Sequence, residues 1–117
     1  MAEILIVDDE DEIRSLLRMA LEEEGYVVRE AADGNAALRA YNERRPDLII
    51  TDLVMPDKEG IETIVEVRRQ NTRVKIIAIS GVSYNLKVAK LLGADHTLNK
   101  PFSLDEMLRL VKTSLEA

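Results

Sequence analysis

The feature of this sequence that most constrains its fold is a strict alternation of two hydrophobic patterns. Short runs of consecutive apolar residues, typical of strands covered on both faces, alternate with longer segments whose apolar residues recur at helical spacing. The predicted strands are ILIV (4–7), YVV (26–28), DLII (47–50), VKIIAI (74–79) and HTL (96–98). Such an alternation favours a parallel sheet with right-handed crossovers and helices on both faces.

Five helical segments follow these strands. Their apolar stripes lie within residues 13–21, 37–41, 61–65, 86–92 and 104–115. Gly25 and Gly93 stand where helix C-caps belong, and Ser103 with Glu106 forms a capping box that opens the last helix. A chain of 117 residues can bury one core but not two. We therefore predict one doubly wound α/β domain over residues 1–117, with five parallel strands and five helices in the flavodoxin-like arrangement.

The composition limits the classes of function. A net charge of −6 argues against direct nucleic-acid binding, and the pairs Arg44-Arg45 and Arg68-Arg69 are predicted to be solvated helix ends. No apolar run approaches the roughly 20 residues that span a bilayer, and the N-terminus lacks the basic region of a secretory signal. The chain has no cysteine for disulfides or thiolate zinc sites. We expect a cytoplasmic protein.

Polar residues follow four of the predicted strands. Asp8 and Asp9 follow the first strand, Asp52 the third, Ser80 the fourth and Lys100 the fifth. Because ligand sites of doubly wound sheets lie beyond the carboxyl ends of the strands, we expect these side chains to converge. Crowded carboxylates repel one another unless a cation shares the site, and oxygen ligands suit Mg²⁺.

A magnesium site beside an ammonium group indicates phosphoryl chemistry. Lys100 can meet charge on a phosphoryl group, and Ser80 can donate a hydrogen bond to another phosphoryl oxygen. Aspartate forms acyl phosphates in phosphoryl-transfer proteins. Asp52, alone on the central strand, is the best candidate for the nucleophile.

Together these motifs resemble the receiver domain of two-component response regulators, and in particular the stand-alone, chemotaxis-regulator type. The resemblance is carried by ILIVDDE, PDLIITDLVMPDKEG, KIIAISG and LGADHTLNKPFSLDEML, and it covers essentially the whole chain. It implies that Asp52 is the phosphoacceptor and that the donor is the phosphohistidine of a histidine kinase or a histidine phosphotransfer protein. It also implies that Asp8, Asp9, Asp52 and the backbone carbonyl of Val54 bind Mg²⁺, with Asp9 the more direct ligand.

The resemblance further implies roles at the ends of the last two strands. Ser80 and Lys100 contact the phosphoryl oxygens, and the peptide bond between Lys100 and Pro101 is cis. On phosphorylation Ser80 moves toward the phosphate, and an aromatic residue three positions before the lysine follows. This movement reshapes the face made by the fourth helix, fifth strand and fifth helix, where a downstream protein binds.

Thr97 occupies the position of that aromatic residue, so the usual switch is incomplete in this chain. His96 is predicted to be a surface residue on the opposite side of the strand. The expected state is a monomer or a weak, phosphorylation-dependent dimer.

Apolar residues stand two positions beyond the acceptor and two beyond the serine, at Val54 and Val82. Since neither can position a hydrolytic water, we expect slow loss of the phosphoryl group. Lys58 stands in a loop where the family often has Met or Leu. An aspartyl phosphatase is disfavoured because Val54 occupies the place of its second acid.

Two further interpretations remain open. The first is an interaction module that uses the fold without phosphorylation, and the second is the receiver part of a longer DNA-binding or enzymatic regulator. In the leading interpretation it is no turnover enzyme, since the phosphoryl group is transferred to the protein itself.

Overall fold

The computed structural model describes residues 1–54, 60–71 and 73–116, in which strands and helices alternate strictly. The elements are β1 Glu3–Val7, α1 Asp11–Glu23, β2 Val27–Ala31, α2 Gly34–Glu43, β3 Leu48–Asp52, α3 Gly60–Gln70, β4 Lys75–Ser80, α4 Ser83–Leu92, β5 His96–Asn99 and α5 Leu104–Glu116. All strand pairs are parallel, in the order β2-β1-β3-β4-β5. The predicted doubly wound sheet is confirmed, with the strand order reversing direction beside β1.

Two apolar layers cover the sheet, as the non-alternating strands predict. Leu17 and Leu21 of α1 join Met107 and Val111 of α5 on one face. The opposite layer is formed with side chains from α2, α3 and α4, which include Tyr41, Ile64 and Leu86. The central strand β3 is therefore covered on both faces, and it is buried at each of its residues.

Strand β2 is longer than the predicted 26–28, because Arg29 and Glu30 belong to it. These charged residues are compatible with an edge strand, since their side chains find partners on neighbouring elements. Glu30 pairs with Arg14 and Arg18 of α1, and Arg29 pairs with Glu3 of β1.

The predicted helix caps are confirmed. Gly25 and Gly93 have φ angles of 93° and 128°, a conformation that favours glycine. Ser103 and Glu106 bond reciprocally: the Glu106 amide donates to Ser103 Oγ at 3.1 Å, and the Ser103 amide donates to Glu106 Oε1 at 3.2 Å.

The prediction that Arg68 is a solvated helix end is wrong. Its Nε donates to the Gly93 carbonyl at 2.9 Å, its Nη1 to the Val74 carbonyl at 2.6 Å and its Nη2 to Asp95 Oδ2 at 2.8 Å. The guanidinium fork thus ties the end of α3 to the end of α4. Arg69, the next residue, is exposed as predicted.

No helix in the described part of the chain is long and apolar enough to cross a membrane. Lys58 and Ala117 lie outside the described residues.

Candidate functional site

The strand register brings the predicted site residues to one edge of the sheet. Asp52 ends β3 and is paired with Ile79 of β4, so that Ser80 lies one residue further along. Ser80 in turn is paired with Asn99 of β5, and Lys100 follows directly. Asp8 follows β1 beside β3. Parallel strands therefore place a carboxylate, a hydroxyl and an ammonium at successive strand ends, as predicted.

Asp52 is held by Lys100. The Nζ of Lys100 donates to Asp52 Oδ2 at 3.2 Å, while only 6% of Asp52 is exposed. Burial acts to lower the pKa of Lys100, but the charge of Asp52 and the hydrogen bond to it outweigh this effect and raise the pKa. The ammonium therefore stays charged at neutral pH beside a buried carboxylate.

The segment that presents Lys100 is fixed by its backbone. The Lys100 amide donates to the Ser80 carbonyl at 3.0 Å, and the peptide bond to Pro101 is cis, as expected. Ser80 is buried, and its Oγ accepts a hydrogen bond from the Val82 amide at 3.0 Å. Its hydroxyl proton therefore remains available to a further acceptor.

Three consecutive acids form a group beside this pair. Carboxylate oxygens of Asp8, Asp9 and Glu10 lie within 4.8 Å of one another. Asp8 is only 2% exposed, and its Oδ1 accepts the Glu10 amide at 2.9 Å. Burial raises the pKa of Asp8, and the charges of Asp52 and Asp9 add to this, against the hydrogen bond from Glu10 and the charge of Lys100, which both lower it.

This group has the chemistry of a divalent cation site. It offers only oxygen donors, which suit a hard ion such as Mg²⁺, and a bound cation would offset the repulsion among these carboxylates. Asp8 and Asp9 are brought together as predicted, whereas Asp52 has its own partner in Lys100. The ligand set of Asp8, Asp9, Asp52 and the Val54 carbonyl stays a prediction.

The predicted switch residue lies apart from the acidic group. Thr97 is half-buried on β5, where it lines an open groove of about 580 Å³ together with Leu86, Leu91 and Lys87 of α4. Val54, at 58% exposure, and Val82, at 51%, both lie at the surface.

Three residues that contribute to the site escaped the sequence analysis. Glu10 completes the acidic group, Arg14 donates to the Asp8 carbonyl, and Gly60 packs against the backbone of Asp52. Glu10 and Arg14 carry a sequence signal, since both belong to the charged start of α1. Gly60 has only its place at the start of a helix, where glycine is common without a packing reason.

The response regulator receiver domain family matches residues 4–112 of this chain. The chemotaxis protein CheY of Halobacterium salinarum is 35% identical over 117 residues, which is 98% of each chain. The alkaline phosphatase synthesis transcriptional regulatory protein PhoP of Bacillus subtilis is 40% identical over 114 residues, covering 96% of this chain and 48% of PhoP. The chain thus spans about half the length of that relative.

Solved structures of two proteins share the fold of this chain. The Vibrio cholerae chemotaxis response regulator CheY4 has a TM-score of 0.92 at 34% identity, covering 98% of this chain and 99% of CheY4. NtrX from Brucella abortus has a TM-score of 0.93 at 33% identity, but the match covers only 27% of NtrX against 98% of this chain. From the family match, the relatives and the shared fold it follows that the chain belongs to the response regulator receiver domain family.

Proposed function

We propose that this chain is a phosphoacceptor signalling module, in which Asp52 receives a phosphoryl group from the phosphohistidine of a histidine kinase or a histidine phosphotransfer protein. The observation that carries the proposal is the contact of buried Asp52 with Lys100 Nζ at 3.2 Å, beside the acidic group. A carboxylate nucleophile, a fixed cation and a site for a divalent ion are the components that phosphoryl transfer needs.

The transfer is a substitution at phosphorus. A carboxylate oxygen of Asp52 forms the new P–O bond while the P–N bond to the donor imidazole breaks, and the electron pair leaves with the imidazole nitrogen. Lys100 offsets charge on the phosphoryl oxygens, and the Ser80 hydroxyl donates to one of them. Asp8, Asp9, Asp52 and the Val54 carbonyl would hold Mg²⁺, which supplies further positive charge there. Because the protein itself is phosphorylated, it acts as a switch rather than as a turnover enzyme.

The output is a protein contact at the face formed by α4, β5 and α5. Its exposed residues include Tyr84 and Leu91, and the groove beside Thr97 lies within this face. Thr97 has too little volume to act as the aromatic residue of the expected switch. We therefore assign the change at this face to Ser80 and the backbone that follows it. Phosphorylation leaves the chain monomeric or converts it to a weak dimer.

Two alternatives differ in their observables. A phosphorylation-independent interaction module would form no adduct at Asp52. The receiver part of a longer regulator would form the adduct but act through another domain; this is favoured by PhoP, a transcriptional regulatory protein of about twice the length. Direct nucleic-acid binding by these 117 residues is disfavoured by their net charge of −6.

The test is incubation with Mg²⁺ and a small phosphodonor, followed by intact-mass measurement. We expect the wild type to gain one phosphoryl group and Asp52→Asn to gain none. Asp105→Asn, which changes an exposed acid in the first turn of α5, is the matched control and should be phosphorylated like the wild type. An unmodified wild type, or an adduct that survives in Asp52→Asn, would overturn the proposal.

The same sample reports the lifetime of the phosphoryl group. Because Val54 and Val82 supply no polar group to orient a water, loss after removal of the donor should be slow. A half-life of seconds would contradict this expectation while leaving Asp52 as the acceptor.

A further inference from the structure

Arg14, in the first turns of α1, contacts the acidic group through the backbone of Asp8. Its Nη1 donates to the Asp8 carbonyl at 2.7 Å, and its Nε donates to Glu30 Oε1 at 3.1 Å. Its other terminal nitrogen pairs with Asp11. Only 14% of the side chain is exposed. All three nitrogens of the guanidinium therefore have a fixed partner, which sets the orientation of the fork.

Asp8 is held by contacts on each of its polar groups. Its amide donates to the Ala31 carbonyl of β2 at 3.1 Å, and its carboxylate accepts the Glu10 amide at 2.9 Å. Its carbonyl accepts from Arg14. Of the three partners of Asp8, two are backbone groups and the third is the side chain of Arg14. A substitution of Arg14 can therefore remove its bond without altering the backbone.

Arg14 affects a bound cation in two opposite ways. Its positive charge near three carboxylates opposes a divalent ion by Coulomb repulsion. Its hydrogen bond holds the peptide from which the Asp8 carboxylate projects, and such supporting contacts raise metal affinity. Loss of the charge alone would strengthen Mg²⁺ binding, whereas loss of the positioning would weaken it. The sign of the change therefore identifies the dominant effect.

We propose that Arg14 is a positioning residue, which orients the buried carboxylate of Asp8 for a divalent cation and is itself oriented by Glu30 of β2. This inference rests on the proposed function, since it concerns the same acidic group. Positioning outweighs repulsion because the guanidinium is paired with Glu30 and Asp11, which reduces its field at the carboxylates.

Arg18 provides a matched control on the same helix. Its Nη1 pairs with Glu30 Oε2 at 2.7 Å, and its Nε pairs with Glu22 at 3.2 Å. Among the described residues, no hydrogen bond joins Arg18 to Asp8. Replacing Arg18 therefore removes the same charge and a partner of the same Glu30 but leaves the Asp8 carbonyl bonded.

The experiment compares the wild type with Arg14→Gln and Arg18→Gln by calorimetric Mg²⁺ titration and by thermal unfolding without metal. We expect Arg14→Gln to weaken Mg²⁺ binding about tenfold. Arg18→Gln should bind Mg²⁺ within about twofold of the wild type, although both variants lose an ion pair and unfold at somewhat lower temperature. A purely structural role would change the unfolding temperature of Arg14→Gln but not its Mg²⁺ affinity.

Phosphorylation kinetics give a second measurement. In Arg14→Gln the Mg²⁺ concentration for half-maximal rate should rise about tenfold, while the rate at saturating Mg²⁺ stays near that of the wild type. Arg14→Lys, which keeps the charge but cannot span the Asp8 carbonyl and Glu30 together, serves if Arg14→Gln does not fold, and it should also bind Mg²⁺ more weakly.

The outcomes separate the two proposals. If the wild type binds Mg²⁺ and is phosphorylated, but both Arg14 variants bind the ion as tightly as the wild type or more tightly, the Arg14 inference is overturned and the phosphoacceptor function stands. If the wild type neither binds Mg²⁺ nor forms the adduct, both proposals are wrong.

Discussion

Gly60 is a residue at which a side chain would disturb the site directly. A Cβ atom at Gly60 would lie 2.3 Å from the backbone oxygen of Asp52 and 2.9 Å from the Cα of Leu53. The Gly60 amide donates to the Leu53 carbonyl at 3.2 Å, so α3 begins directly against the end of β3. Because backbone meets backbone here, no change of rotamer can relieve the contact.

We therefore expect Gly60→Ala to lower the free energy of unfolding by about 1–3 kcal/mol, as overpacking does, and to slow phosphorylation of Asp52. Urea unfolding and the mass assay measure the two effects. Gly81→Ala is the control: its Cβ would meet only Lys100 Cβ, at an ordinary contact distance of 3.8 Å. A Gly60→Ala protein as stable as Gly81→Ala would show that the start of α3 can shift freely.

Residue chemistry at the strand ends was predictable, while contacts through the backbone were not. Asp8, Asp52, Ser80 and Lys100 follow strands that the apolar runs reveal, and the parallel topology then brings them together. The role of Gly60 depends on how closely the backbone at the start of α3 approaches the backbone at the end of β3, and no residue pattern encodes that distance. Arg14 similarly acts on a carbonyl oxygen, a group that every residue possesses.

At the scale of the elements, Arg68 connects four of them. It leaves the last turn of α3, bonds the Val74 carbonyl before β4 and the Gly93 carbonyl after α4, and pairs with Asp95. Asp95 also accepts the Ile76 amide at 2.8 Å through the same Oδ2. The amino ends of β4 and β5 and the carboxyl ends of α3 and α4 are thus held around one side chain.

Arg68→Ala should lower the free energy of unfolding by about 2 kcal/mol, because it leaves several partly buried acceptors without a donor. Chemical denaturation measures this loss. Arg69→Ala, at the exposed neighbouring position, should stay within about 0.5 kcal/mol of the wild type. Equal stabilities of the two variants would contradict the structural role of Arg68.

The existence and type of the elements were predictable because apolar periodicity reports which faces are buried. The extent of β2 and the role of Arg68 were not, since both depend on partners distant in the sequence. A charged residue at a helix end is usually solvated, and only the packing of α3 beside α4 brings the Gly93 carbonyl and Asp95 within reach of Arg68.

At the scale of the whole molecule, ion pairs fasten the edge strand β2 to the rest of the domain. Glu30 joins it to α1 through Arg14 and Arg18, and Glu3 of β1 joins Arg29. The hydrogen bond from Arg44 is the main cause that lowers the pKa of Glu3 below its ordinary 4.5, and the bond from Arg18 lowers that of Glu30 likewise.

A lowered pKa in the folded state sets the sign of a pH dependence. These two acids bind protons more weakly when folded than when unfolded, so their contribution to stability is present above pH 4.5 and is lost as the pH falls through the folded values. We expect the unfolding free energy of Glu30→Gln, from urea titrations between neutral and acidic pH, to fall less steeply with acid than that of the wild type. Glu23→Gln, at an exposed position of α1, should retain the wild-type slope. Parallel curves for Glu30→Gln and wild type would contradict the assignment.

The order of the strands also has a consequence for the behaviour of the protein at high concentration. β2 and β5 form the two open edges of the sheet. An open edge exposes backbone groups that can pair with a strand of another molecule, which leads to aggregation. β5 has only four residues, and β2 carries Arg29 and Glu30 in ion pairs that strand addition would crowd. The same charges that fasten the edge strand to its neighbours therefore protect the protein against polymerising through its sheet.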